Sequence, residues 1–292
     1  MTSQLNQHLT PSASTVFMSH HMKPTSVDTY LSSICQQLEI YFPNVWNARR
    51  SVLVHWTLNG CKCLLRSPTG QKSALTHNHL LQILAHLGNS NDHNDKLFVA
   101  QIFTGFHTLM RLGELCWPDN WALQSFEKIS KCHTVKWPPG AYQFFLPGHK
   151  ADKFFKGNQI IVQHSDTPTD PYKPFLTYLK LRDSLFPFNL ELWLTDDGTV
   201  PTCSFFITCL HALFNTSIVG QSMHVGGPTS LAEAGVSPHI IQAIGQWKSD
   251  TWQIYVCKNP VLIQAMIFGG KAIHKALSAL LHKVRFELQP MP

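Results

Sequence analysis

Apolar residues recur at helical spacing along most of this chain and give way to short β-patterned runs only between residues 131 and 164. After Pro24, Thr25 is placed to cap a helix whose apolar positions Val27, Tyr30, Leu31, Ile34, Leu38 and Tyr41 share a face, and Pro43 ends it. A second helix is expected from about Asn47 to Leu58, with Arg49 and Arg50 on its first turns and Gly60 at its end. The segment RSPTGQK, residues 66–72, has the composition of a linker. Beyond it Thr76 caps HNHLLQILAHL, and the polar loop GNSNDHND leads into a long apolar helix from about Lys96 to Met110.

Past Arg111 the period changes. KCHTVKW, YQFFLPG and NQIIVQH are short, β-branched or aromatic, and separated by Pro-Pro-Gly and by HKADKFFKG, which predicts a three-stranded antiparallel sheet. Helical patterns return in PYKPFLTYLKLRDSLF, TCSFFITCLHALF, SLAEAG, SPHIIQAIG, DTWQIYV and GKAIHKALSALLHKV. No internal repeat interrupts this order. The reading is a mainly α protein with a small antiparallel β-sheet, divided into a polar tail (1–24), a small helical domain (25–72) and a larger domain (73–292).

Composition narrows the function classes. A chain of 292 residues that is 44% hydrophobic can bury a sizeable core. No apolar run reaches the roughly 18 residues of a membrane span, and MTSQLNQHLTPSAS lacks the basic and apolar parts of a signal peptide. A nuclear or cytoplasmic, unsecreted protein with no membrane partner is expected. Of the eight cysteines only Cys61 and Cys63 are close, so neither a disulfide framework nor a zinc spacing is visible. His20, His21, His77, His79 and the Cys132-His133 pair also lack the two-pair spacing of a zinc site, so no metal is expected.

The formal charge of +6 is unevenly spread. Up to residue 91, Lys23, Arg49, Arg50, Lys62, Arg66 and Lys72 face only Asp28 and Glu39. The segment from 219 onward is basic too, while residues 92–218 are close to neutral. Two basic bodies suit a polyanion, and duplex DNA is the expected partner, with Arg49, Arg50, Lys62 and Arg66 as candidate phosphate contacts.

Five blocks then carry a family resemblance. TGFHTLMRLGEL contains Arg111, LPGHKADKFFKGNQIIV contains Lys150 with Lys153 and Lys156 nearby, and QSMHVGGPTSLAEAG contains Gln221 and His224. IGQWKSD contains Trp247, and WQIYVCK contains Tyr255 eight residues later. Together, over roughly residues 25 to 269, these resemble the tyrosine recombinases, the phage-integrase family of DNA breaking and rejoining enzymes, and the last block is most similar to recombinase-like proteins of fungal mobile elements. The resemblance implies an N-terminal helical core-binding domain that grips DNA and a catalytic domain with Tyr255 as nucleophile. It further implies Arg111 as the first active-site arginine, Lys150 as the hairpin lysine and Trp247 as a phosphate donor. Gln221 stands where the family has histidine, and His224 where it has the second arginine.

The chemistry explains these residue types. A phenol attacks a backbone phosphate to form a phosphotyrosine, so neither a metal nor another cofactor is required. Two arginines cradle the non-bridging oxygens, each through a planar fork, and a lysine protonates the leaving oxygen. Loss of one such donor typically costs about 10²- to 10³-fold in rate. The expectation is DNA integration or recombination chemistry that is impaired in this chain. The other reading is a non-catalytic DNA-binding relic or domesticated module.

The chain has six arginines beside seventeen histidines, eight cysteines and eight tryptophans. His224, Gln246 and Cys257 stand where the family has arginine, each one C-to-T or G-to-A transition from a CGN codon. Directional mutation of a mobile-element gene is the inference. The resemblance also implies a homo-tetramer on DNA, with the amphipathic segment 273–284 as the exchanged element.

Overall fold

The computed structural model describes residues 2–65, 72–148 and 157–245. The chain divides into two compact units, Met1–Gln71 and Lys72–Pro292. The smaller unit holds α1 (Thr2–His21), α2 (Pro24–Leu38), α3 (Val45–Arg49) and α4 (Val52–Leu64). The segment expected as a polar tail is therefore helical. Met18 and Met22 pack on Val27, Leu31 and Leu58, so the end of α1 and the residue after it contribute to this unit's core.

Two further expectations for this unit change. The helix expected from Asn47 to Leu58 is broken, because Ser51 caps α4 by accepting from the Val54 amide at 3.4 Å, and Arg50 closes α3. Gly60 lies inside α4 rather than ending it, since Cys61 lies on the buried side of that helix and the next turn keeps its packing. Lys23, not Thr25, precedes the first turn of α2, with Pro24 at the position where a missing N–H costs nothing.

The larger unit starts with α5 (His77–Leu87), capped as expected by Thr76, and α6 (His93–His107), capped by the Asp92 carboxylate. Helix α6 is buried on every side: Leu97, Phe98, Ala100, Ile102, Phe103 and Phe106 are all at most 2% exposed. It is the axis of the core, packed by α5, α8 (Tyr172–Leu185), α9 (Cys203–Leu213) and α10 (Gly220–Glu233). Helices α7 (Leu112–Leu115) and α11 (Pro238–Ile244) are short.

The sheet has two strands among the described residues, β1 (Ala141–Leu146) and β2 (Asn158–Gln163), antiparallel with Tyr142 opposite Val162 and Phe144 opposite Ile160. The expected third strand, KCHTVKW, is instead a 3₁₀ turn at Cys132–Thr134 between two isolated bridges, Lys131 to Glu191 and Lys136 to Gln143. Thr134 explains the difference. Its hydroxyl donates to the Lys131 carbonyl at 2.7 Å and accepts from the Phe145 amide at 3.1 Å, a local bonding pattern that competes with a ladder. The inner face of the sheet packs on α8, where Tyr142 stacks on Phe175 with centroids 4.0 Å apart.

Candidate functional site

The end of α6 turns sharply into Arg111. Leu109 has φ +57°, the sole positive φ at a non-glycine among the described residues, and its side chain is buried. A leucine in the left-handed region costs about 1 to 2 kcal/mol, so the surrounding contacts hold it there. One such contact is with the site itself. The Leu109 carbonyl accepts from His224 Nδ1 at 2.7 Å, linking the turn before Arg111 to α10.

Arg111 immediately precedes α7, and Glu114 holds it. The Glu114 carboxylate accepts from the Arg111 backbone amide at 2.9 Å and from Nη1 at 3.2 Å. That engages one of the five guanidinium N–H donors and fixes the fork, while the arginine side chain stays 23% exposed. RLGEL is thus a local device: the arginine and the carboxylate that orients it come from one helical turn.

Glycines bring α10 against this turn. A Cβ on Gly220 would lie 2.6 Å from Leu112 Cδ2, on Gly227 2.3 Å from the Phe106 carbonyl oxygen, and on Gly226 1.9 Å from the Leu75 carbonyl oxygen. The small-residue run after His224 therefore lets α10 approach α6 and the Leu75 backbone directly. Farther along α10, Ser230 Oγ lies 2.6 Å from His77 Nε2, and His77 Nδ1 lies 2.8 Å from Thr169 Oγ1. This tie fastens α10 to α5 and to the loop after β2. The His77 connection was not legible in sequence, because nothing local distinguishes that histidine from His79 beside it.

Gln221 and His224 are both on α10, and they differ. Gln221 is exposed in the first turn, whereas His224 is 3% exposed. Burial, and next the Arg111 guanidinium, push the His224 imidazole down to about 4, against the smaller opposing effect of the Leu109 carbonyl. At neutral pH the ring is uncharged, and with Nδ1–H directed at a carbonyl its Nε2 carries no proton. His224 in this state supplies no positive charge.

That depression has a stability consequence. The folded-state value lies below the ordinary 6.5, so the unfolded chain takes up the proton first as pH falls. The contribution is present above pH ~6.5 and is lost on acidification through pH ~4, amounting to about 3 kcal/mol. His224→Asn, which keeps a donor for Leu109 but cannot titrate, is expected to flatten the urea stability profile between pH 7 and pH 4.5. An unchanged slope in that variant would contradict the burial of a neutral ring.

The candidate DNA contacts of the smaller unit have separate fates. Arg49, whose side chain is 15% exposed, pairs with Asp28, and Lys62 reaches the same carboxylate at 3.1 Å. Both cations thus hold α3 and α4 to α2. Arg50 is exposed, with its guanidinium 5.7 Å from the Trp46 ring centroid, an arrangement that presents a flat cationic surface. Arg182 is 1% exposed and serves the Asn189 and Glu191 carbonyls. Arg66, Lys150, Lys153, Lys156, Gln246, Trp247, Tyr255 and Cys257 lie outside the described residues, as does the segment 273–284.

Among the described residues no helix is long and apolar enough to cross a membrane. No protein-family model matches the sequence, and no curated protein matches it. Solved structures do. The Tn1549 transposon integrase in complex with circular intermediate DNA superposes with a TM-score of 0.54 at 14% identity, covering 84% of this chain and 78% of that one. A lambda integrase dimer bound to a core site superposes with a TM-score of 0.50 at 14% identity, again over 84% and 78%.

The larger unit has the fold of a tyrosine-recombinase catalytic domain. In that fold the turn bearing Arg111 and the start of α10 meet, as the Gly220–Leu112 and His224–Leu109 contacts describe. The mainly α reading with a small antiparallel sheet holds, with two strands among the described residues in place of the three expected.

Proposed function

We propose that this protein binds duplex DNA and that its larger unit serves strand breaking and rejoining through Tyr255, at a rate lowered by the missing second arginine. The observation that carries this reading is the meeting of Arg111 with the first turns of α10, where Gln221 and His224 stand, within a recombinase fold. The fixed Arg111 fork is suited to the non-bridging oxygens of a phosphate, and it is preorganised by Glu114. The Tn1549 integrase and the lambda integrase of similar fold are both DNA-bound. The arginine-poor, histidine-rich composition supports descent from a mobile element. Arg50 supplies a nonspecific phosphate contact from the smaller unit, and the assembled form on DNA is a homo-tetramer.

The test is incubation of the full chain with nicked suicide duplexes carrying terminal-repeat sequences, followed by denaturing electrophoresis. A covalent protein–DNA adduct that disappears in Tyr255→Phe is the expected result. An adduct that survives in Tyr255→Phe, or failure to bind duplex DNA even at low salt, would overturn the proposal.

A further inference from the structure

The larger unit holds a cavity of about 510 Å³, lined by none of Arg111, Glu114, Gln221 and His224. Four segments wall it: the end of α5, the first half of α6, the first half of α8 and the loop 164–170 that follows β2. Its volume lies within the roughly 300 to 1,000 Å³ of small-molecule sites. Leu84 and Leu87 of α5 and Val99 of α6 give it an apolar side. Lys96 of α6 and Lys173 of α8 line it as well, and neither ammonium has an ion-pair partner among the described residues.

The two carboxylates of the lining differ in what they are committed to. Asp170 is buried, and its Oδ2 accepts from His164 Nδ1 at 2.6 Å while its Oδ1 accepts from the Ser165 amide at 3.2 Å. Asp166 is exposed and makes no ion pair among the described residues. The same loop is anchored through Thr169, whose carbonyl accepts from His107 Nε2 of α6 at 2.8 Å and whose hydroxyl lies 2.8 Å from His77 Nδ1 of α5. These bonds fix the loop on two helices, so the cavity is shaped before anything enters it, which lowers the ordering cost of binding.

We propose that this cavity binds a nucleoside monophosphate. A phosphate monoester carries about −1.5 to −2 charge near pH 7, a match for two ammoniums that lack partners, whereas a single carboxylate would leave one of them unpaired. Lysines hold phosphate as point charges, so the pair from α6 and α8 needs no forked geometry. A flat base suits the apolar side formed by Leu84, Leu87 and Val99, and ribose hydroxyls suit the Asp166 carboxylate as an acceptor. Asp166 also disfavours a second anionic group on the ligand. The site goes beyond the chemistry at Arg111 and does not depend on it.

The experiment is calorimetric titration of the full chain with adenosine, guanosine, cytidine and uridine 5′-monophosphates in turn. At least one is expected to bind, about 10-fold or more tighter than its unphosphorylated nucleoside or inorganic phosphate, and to raise the melting temperature. Lys96→Met and Lys173→Met, which keep an apolar stem, should each weaken that nucleotide by about 10-fold, the size of one charge-assisted hydrogen bond. Lys180→Met, on α8 but outside the cavity, should bind as the parent does. Thermal melts of the free variants check that each is folded. Absence of binding by all four nucleotides overturns the proposal, as does an equal loss in Lys180→Met and the two cavity variants. If inorganic phosphate binds as tightly as the nucleotides, or if duplex DNA alone binds and loses affinity in both cavity variants, the lysines serve another anion and the nucleotide site is refuted.

Discussion

The double substitution Gln221→His with His224→Arg is expected to raise covalent adduct formation on suicide DNA by at least about 10²-fold, the usual worth of one preorganised donor to a developing oxyanion. The local electrostatics add a second expectation. His224 is almost fully buried, and the Arg111 guanidinium already disfavours its protonation. A permanent cation there repels Arg111 in the free protein and gives up hydration, so the substituted chain should melt at lower temperature than its parent. A phosphate between the two cations reverses both penalties. DNA should therefore stabilise the substituted protein more than the parent, and its binding should depend more steeply on salt. Single-turnover assays and DNA-dependent melting curves check the two parts. An adduct rate unchanged from an already efficient parent would mean that Gln221 and His224 operate in another arrangement.

Gly227→Ala is expected to destabilise the larger unit by at least about 3 kcal/mol, at or beyond the upper end of ordinary overpacking. The added methyl would stand 2.3 Å from the Phe106 carbonyl oxygen and 2.4 Å from Leu109 Cδ2. Phe106 belongs to the buried axis helix, so its backbone cannot move aside without disturbing the whole core. Gly226→Ala meets the Leu75 carbonyl oxygen at 1.9 Å and should be at least as damaging. Gly113→Ala has nothing within 4 Å of its added carbon and serves as the control, with an expected change below about 1 kcal/mol. Urea denaturation of the three variants measures the order. Near-native stability of Gly227→Ala would contradict the close approach of α10 to α6, and with it the geometry that joins His224 to the Arg111 turn.

The sequence by itself determined the features whose causes lie within a few residues. Thr76 before HNHLLQILAHL named its own helix start, because a cap bonds an amide two or three positions along. RLGEL carried both Arg111 and Glu114, since the two meet across a single turn. The mainly α character followed from apolar spacing, which a helix of fixed period converts into one buried face. The tertiary structure alone decided what depends on partners far along the chain. KCHTVKW had strand composition, yet the Thr134 hydroxyl bonds closed a turn instead. Arg49 and Lys62 read as candidate phosphate contacts, yet packing brings both onto the Asp28 carboxylate of α2. The resemblance put His224 where the family has arginine, but its protonation is set by burial and by the nearby Arg111, and its Nδ1 by Leu109, 115 residues earlier. The physical division is one of range. Caps, turns and periodicity act through local bonds that the residue order states outright, whereas desolvation and ion pairing depend on which distant surfaces close on each other, and only the packed chain fixes those.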